Sequence, residues 1–108
     1  MDDILEQHGV TVIHHFSERE YAKETHIPAG VELTQHRHKF SHLSLLASGI
    51  VSVSLNDEEA TTYEAPACIT IPAGLAHRVF AHTDTVWFCI HATNGEMCVD
   101  SLESEVIA

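Results

Sequence analysis

Residues 30–42 read Gly-Val-Glu-Leu-Thr-Gln-His-Arg-His-Lys-Phe-Ser-His and contain three of the ten histidines of the chain. Side chains along a β-strand alternate between its two faces, so His36 and His38 share one face. His42 has the same parity and shares that face if the chain stays extended or turns only briefly. Core packing explains three such imidazoles poorly, because an unpaired buried polar group costs about 1–3 kcal/mol.

Two interpretations of this cluster remain open from the residues alone. The histidines can lie on a solvated face, although Leu43, Leu45 and Leu46 follow at once and are predicted to be buried. They can instead bind a metal ion, which takes one nitrogen from each ring while the other nitrogen donates to a carbonyl or carboxylate group. Spacing with a period of two is common in strands, so the pattern by itself does not choose between them.

On both sides of the cluster, the chain consists of short β-like runs separated by turn signals. Turns at such regular intervals predict an all-β sandwich or barrel rather than alternating strands and helices. The chain, residues 1–108, is predicted to be a single domain, because its length fits one core and it contains no linker. Weak helical signals occur only in the first few residues and in residues 100–107. The predicted strands are Val10–Phe16, Tyr21–Ile27, Val31–His36, His42–Ala47, Ile50–Leu55, Thr61–Glu64, Cys68–Ile71, His77–Ala81 and Thr85–Ala92.

The charge balance limits the expected partners. The chain has 16 acidic residues against 5 Lys and Arg, which gives a formal net charge of −11. Nucleic acids and anionic membrane surfaces would repel such a protein, so neither is expected as a partner. The start of the chain is acidic where a signal peptide would be basic, and no window approaches the roughly 20 apolar residues of a membrane span.

The cysteines indicate the expected compartment. There are three, an odd number, and none has C-x-x-C spacing. A disulfide framework is therefore not expected, and a reducing cytoplasm is the predicted location. Cys68 and Cys89 both lie in apolar runs and are predicted to be small buried hydrophobic residues.

The spacing of residues 30–49 resembles the first motif of the cupin family, G-x5-H-x-H-x3-E-x6-G. Every spacing fits, and the one change places His42 where the family has glutamate. The second motif of the family is G-x5-P-x-G-x2-H-x3-N, which corresponds to residues 66–81. Residues 72–77, Pro-Ala-Gly-Leu-Ala-His, fit its centre, whereas proline and alanine occupy the opening glycine and closing asparagine positions. Together the two motifs span about half of the chain.

The resemblance implies a cupin-type antiparallel β-barrel, also called a double-stranded β-helix or jelly roll, with a metal ion in its mouth. The ligands implied by position are His36, His38, His42 and His77. The implied cofactor is one divalent transition metal ion, Zn, Fe, Ni, Cu or Mn, rather than Mg or Ca, which prefer oxygen ligands. Replacing glutamate with histidine leaves the charge of the ion uncompensated, which favours anionic oxygen ligands. Small cupins also commonly pair, so a homodimer is expected.

Three functions are compatible with this resemblance. The first is a mononuclear metalloenzyme that acts on a small organic substrate, as a dioxygenase or a lyase/isomerase. The second is a non-catalytic protein that binds a metal or small ligand at a structural or sensory site. The third is an accessory interaction protein of a phage or operon that retains the barrel for its shape.

Residues outside the motifs carry weaker signals. His91 or Cys89 can act as a proton donor or a substrate contact if the last strand lines the cavity. The other histidines, at positions 8, 14, 15, 26 and 82, are predicted to be structural or surface residues, with at most one of the adjacent pair 14 and 15 facing the barrel. Candidates for an apolar lining, or for the core, are Phe40, Phe80, Trp87 and Phe88.

Overall fold

The computed structural model describes residues 9–35, 37 and 39–93, which form nine β-strands and no helix. The strands are β1 (Thr11–Phe16), β2 (Glu20–Ile27), β3 (Glu32–Gln35), β4 (His42–Ser48), β5 (Ile50–Leu55), β6 (Thr61–Glu64), β7 (Ala67–Ile71), β8 (His77–Ala81) and β9 (Thr85–Ala92). Every predicted strand is confirmed. The predicted end of β3 at His36 and the two predicted helices lie outside the described residues. Within those residues, no helix has the length and apolar character that a membrane crossing requires.

The strands pair into two antiparallel sheets. The larger sheet has the order β1-β2-β9-β4-β7, and the smaller has the order β3-β8-β5-β6. From β2 onwards, every connection except β5–β6 crosses from one sheet to the other, which is the jelly-roll arrangement. The predicted all-β jelly roll is therefore confirmed. In the described chain, however, no backbone ladder joins the two sheets, so the predicted barrel has the form of two facing sheets.

The core lies between the sheets, because alternate side chains of each strand point inward. Trp87 is its largest fully buried side chain and lies opposite Leu46 of β4 and Thr25 of β2. Each sheet therefore contributes one apolar face to a shared interior. The buried apolar residues are Val10, Ile27, Leu33, Leu46, Val51, Val53, Ile69, Ile71, Val79, Ala81, Trp87 and Cys89.

Three side chains that were expected to be buried are exposed. His42 and Leu46 take inner positions of β4, so Leu43 points outward and is 46% exposed. Cys68 lies on the outer face of β7 for the same reason, which corrects its predicted burial. Phe40, a candidate for the lining or the core, lies before β4 and is 65% exposed. Apolar character alone did not reveal which face each residue occupies.

Gly49, which closes the first motif, joins β4 to β5 where the neighbouring backbone leaves no room for a side chain. Its φ is +102°, and an added Cβ would lie 2.7 Å from the carbonyl oxygen of Asp84. Positive φ costs other residues about 1–2 kcal/mol, and the clash adds to that cost. We expect Gly49→Ala to lower the free energy of unfolding, measured by urea denaturation, by about 3 kcal/mol.

Gly74→Ala is the matched control for this substitution. Gly74 also has a positive φ, +77°, but an added Cβ would meet no atom within 4 Å. The control should therefore show only the conformational cost, about 1–2 kcal/mol. Equal losses in the two variants would contradict the proposed clash at Gly49.

Candidate metal centre and the residues around it

The two sheets bring together two of the four predicted metal ligands. His42 begins β4 in the larger sheet, and His77 begins β8 in the smaller sheet. Both side chains lie between the sheets, with only 5% and 1% of their surface exposed. Their ring centres are 5.9 Å apart. His36 and His38 lie outside the described residues, so the four-histidine ligand set stays a prediction.

The rings of His42 and His77 are close enough to share one ion. A metal about 2.1 Å from a nitrogen of each ring lies roughly 3.2 Å from each ring centre, so two such rings are at most about 6.5 Å apart. The observed separation of 5.9 Å meets this limit. Among residues 9–35, 37 and 39–93, no group of three or more His, Cys, Asp or Glu side chains forms a complete metal site. A complete site therefore needs further donors.

His91 is the third histidine of this cluster. It lies near the end of β9, is 7% exposed, and has its ring centre 4.4 Å from that of His42. Cys89, two residues earlier, is also buried, as predicted. The last strand therefore directs His91 into the space between the sheets. A role for His91 as a proton donor or substrate contact requires this orientation.

Tyr21 extends the ring cluster across the larger sheet. It lies opposite His91 in the pairing of β2 with β9, with the ring centres 6.2 Å apart. Its hydroxyl group shares a hydrogen bond of 2.6 Å with Nδ1 of His14, a half-buried residue of β1. Sequence reasoning did not identify Tyr21, because one tyrosine in a polar run has no metal-binding or catalytic signature. The alternation along β2 was the only signal that pointed to it.

A buried thiol, that of Cys89, lies beside this ring cluster on the inward face of the larger sheet, opposite Ser44 of β4. Ser44 Oγ donates a hydrogen bond of 3.7 Å to Cys89 Sγ and lies 3.5 Å from Nε2 of His42. Burial raises the pKa of the Cys89 thiol, and the Ser44 hydrogen bond and the charge of Lys23 oppose this rise to a smaller extent. The thiol is therefore protonated at neutral pH, and the structure does not support a nucleophilic role for it.

Several other histidines lie on outer surfaces, as predicted. His15 and His26 each bind one carboxylate oxygen of Glu24 through Nε2, and these two hydrogen bonds lower the pKa of Glu24. His82 is exposed and lies 2.7 Å from the hydroxyl oxygen of Ser52. His8 lies outside the described residues. These contacts explain the outer-face residues without any role at the candidate metal centre.

A separate cavity of about 420 Å³ opens at the other end of the larger sheet, beside His26, Pro28 and Asp84. Thr85, which lines it, begins β9, whereas His91 lies near the end of that strand. Neither His42 nor His77 lines this cavity, which is therefore distinct from the cluster of described histidines.

Two antiparallel sheets with jelly-roll connections define the double-stranded β-helix class of fold. The chain has the fold of the cupin superfamily, which confirms the predicted fold. It is similar to KdgF from a Halomonas species, with 12% identity over 87% of this chain and 85% of that one, and a TM-score of 0.69. It is also similar to a cupin superfamily protein from Desulfitobacterium hafniense, with 14% identity over 78% and 77% of the two chains and a TM-score of 0.67.

A further similar structure belongs to a longer protein. Salicylate 1,2-dioxygenase from Pseudoaminobacter salicylatoxidans matches 95% of this chain at 16% identity with a TM-score of 0.72. This chain covers 33% of that one. No protein-family model matches the chain, and no curated protein sequence matches it. At these identities, the structural likeness establishes the fold.

Proposed function

We propose that this protein binds one divalent transition metal ion and acts as a mononuclear metalloenzyme on a small organic substrate. The observation that carries the proposal is the burial of His42 and His77 from two different sheets, with their ring centres 5.9 Å apart. Neutral imidazole is the commonest protein ligand for such metals, and the separation fits a shared ion. In this proposal, His36 and His38 complete the ligand set, and the ion is Zn, Fe, Ni, Cu or Mn.

The reaction class follows from the ligands and from the neighbouring side chains. The bound ion would supply Lewis-acid activation of a substrate oxygen or of O₂. His91, whose ring centre is 4.4 Å from that of His42, is placed to contact a molecule held there. A dioxygenase is the first candidate, because the similar structures include a salicylate 1,2-dioxygenase. A lyase or isomerase uses the same ligand set and remains the second candidate.

The alternative is a non-catalytic protein that binds a metal or small ligand. It is favoured by the limited set of acid–base groups near His42, which in the described chain are His91, the protonated thiol of Cys89 and, beyond them, Tyr21 and Lys23. A phage or operon accessory protein would need the metal ion only to maintain the fold, or would need no metal ion.

These functions can be distinguished by reconstituting tag-free protein with Fe(II), Ni or Zn. We would follow oxygen uptake with an electrode and substrate loss by NMR, using a panel of small hydroxy acids and keto acids. Turnover that disappears on chelation would support the enzyme. Stoichiometric metal without turnover would favour the non-catalytic metal-binding protein. No uptake of any metal would contradict both metal-dependent functions.

We also propose that the outer face of the larger sheet is the interface of a homodimer. This face is mainly apolar along its central strands, where Leu43 lies opposite Ile90 and Leu45 lies opposite Phe88. Two of its outward residues are acidic, Glu20 and Glu24, in a chain with a net charge of −11. Two copies that meet through this face would bury its apolar centre, and sheet faces pack well against each other.

His15 and His26 bind the two carboxylate oxygens of Glu24, so this carboxylate keeps hydrogen-bond partners when the face is covered. The outer face of the smaller sheet is different, since it carries the hydroxyl side chains Thr34 and Ser54. A second copy is therefore the occupant that the larger sheet fits best, because both partners would offer the same apolar face.

Leu43→Glu tests the interface, because it places a charge in the apolar region of the face. We expect light scattering to give twice the 11.9 kDa chain mass for the wild type and the monomer mass for the variant. Thr34→Glu on the smaller sheet is the control and should remain dimeric. A monomeric wild type, or a dimeric Leu43→Glu variant, would contradict the proposal.

A further inference from the structure

The inner faces of the described strands contain no acidic residue, although the chain has 16 of them. Every Asp and Glu in β1–β9 lies at an outward position of its strand. Lys23 is the single Lys or Arg at an inward position of these strands. It shares the interior with His14, His42, His77 and His91. The interior of a strongly acidic protein is thus free of negative side chains where the described strands line it.

The position of Lys23 follows from the register of three strands. Its partner on β1 is His14, and its partner on β9 is Cys89. Residues directly opposite each other in an antiparallel pair point to the same side, so Lys23 faces the interior with both. The charge of Lys23 opposes the rise in the pKa of the buried Cys89 thiol, which agrees with this placement. Lys23 forms no ion pair with any described residue.

The side chains around Lys23 converge on the histidine cluster. Tyr21 and His91 are the next pair of residues on the inward face of β2 and β9, after Lys23 and Cys89. His91 is therefore a diagonal neighbour of Lys23, roughly 7–8 Å away and within reach of a long side chain. His14 and Tyr21 are diagonal neighbours in the same way, and a hydrogen bond of 2.6 Å joins them. Lys23 and Tyr21 therefore lie beside the cluster that contains His42.

We infer that Lys23 and Tyr21 form an anion-binding subsite next to His42 and His77, and that the ligand is a small organic carboxylate. When Nδ1–H of His14 donates to the Tyr21 oxygen, the phenol proton is left for the ligand. The phenol and the ammonium group of Lys23 then match a single carboxylate through charge-assisted hydrogen bonds. A phosphate group carries more charge than a carboxylate and is usually held by Arg side chains or by a glycine-rich loop. The inward positions of the described strands contain no Arg, which favours the carboxylate. The location of the subsite beside a metal ion rests on the proposed function, but the subsite itself consists only of residues of this chain.

Calorimetric titration with a carboxylate and its neutral amide tests the subsite. We would titrate salicylate and salicylamide into zinc-loaded and metal-free samples of the wild type, Lys23→Met and Lys23→Arg. The wild type is expected to bind salicylate at least about tenfold more tightly than salicylamide, as a hydrogen bond to a charged group allows. Lys23→Met should remove this preference without changing the affinity for salicylamide, and Lys23→Arg should retain most of it.

Arg78→Met is the matched control, because it removes the same charge from the outer side of β8. Arg78 pairs with Asp57 at 2.8 Å and is exposed, so its loss should leave the preference for salicylate unchanged. Thermal unfolding of each variant verifies that it is folded. Equal binding of acid and amide by the wild type, in both the salicylate pair and a benzoate and benzamide pair, would overturn the subsite, as would an unchanged preference in Lys23→Met.

The metal content of the same samples separates this inference from the proposed function. A protein that binds zinc but shows no preference for the carboxylate keeps the metal proposal and loses the subsite. A protein that takes up none of Fe(II), Ni or Zn but prefers salicylate through Lys23 keeps the subsite and loses the metal proposal.

Discussion

Replacing His77 with alanine is expected to abolish stoichiometric metal binding. His77 lies in the smaller sheet, is 1% exposed, and has its ring centre 5.9 Å from that of His42. Changes to residues that only support a ligand already weaken metal binding about 10–100-fold, so loss of a ligand should weaken it at least as much. Plasma mass spectrometry should therefore show about one metal per chain in the wild type and almost none in the variant.

His82→Ala is the control for this experiment. His82 follows the same strand as His77 but is exposed and interacts with Ser52, so its replacement should leave the metal content unchanged. Because His77 is buried, His77→Gln provides a second variant that retains polar bulk, and circular dichroism would establish that each variant is folded. Full metal content in folded His77→Ala and His77→Gln would contradict the assignment of His77 as a ligand.

Trp87→Ala is expected to cause the largest loss of stability among the core substitutions. The side chain is fully buried and lies between Thr25 and Leu46 in the middle of the larger sheet. Truncation of such a residue costs about 3–5 kcal/mol through lost burial and the cavity left behind. Domains of this size have about 5–15 kcal/mol of stability in total, so urea denaturation should show a large fall in the midpoint.

Phe40→Ala is the aromatic control, since Phe40 is 65% exposed. We expect its free energy of unfolding to stay within about 0.5 kcal/mol of the wild type. A loss at Phe40 equal to that at Trp87 would contradict the placement of the core between the two sheets.

The strands could be predicted from the sequence because their signals are local. Ile50–Leu55 alternates apolar and polar residues, and Asn56 and Asp57 follow it with the positive φ angles that suit a tight turn. The inward face was harder to predict where both faces are apolar. In β4 and β9, Leu43 and Phe88 look as buried as Leu46 and Trp87, and only the pairing of the strands separates them.

The candidate site shows the same division between local and long-range information. His42 and His77 were found because motif spacing encodes them, although they lie on different sheets. Sequence reasoning does not single out Tyr21 and Lys23, because their proximity to the histidine cluster depends on the pairing of β2 with β9, which joins distant parts of the chain. Pairing of this kind depends on the whole fold, and single-sequence patterns do not record it.

X-ray diffraction from crystals of the zinc-loaded protein, measured at the zinc absorption edge, tests the shared metal centre most directly. We expect one anomalous peak per chain, about 2.0–2.1 Å from a ring nitrogen of His42 and of His77. A zinc-loaded crystal whose only anomalous peaks lie away from these two rings would contradict the proposed centre.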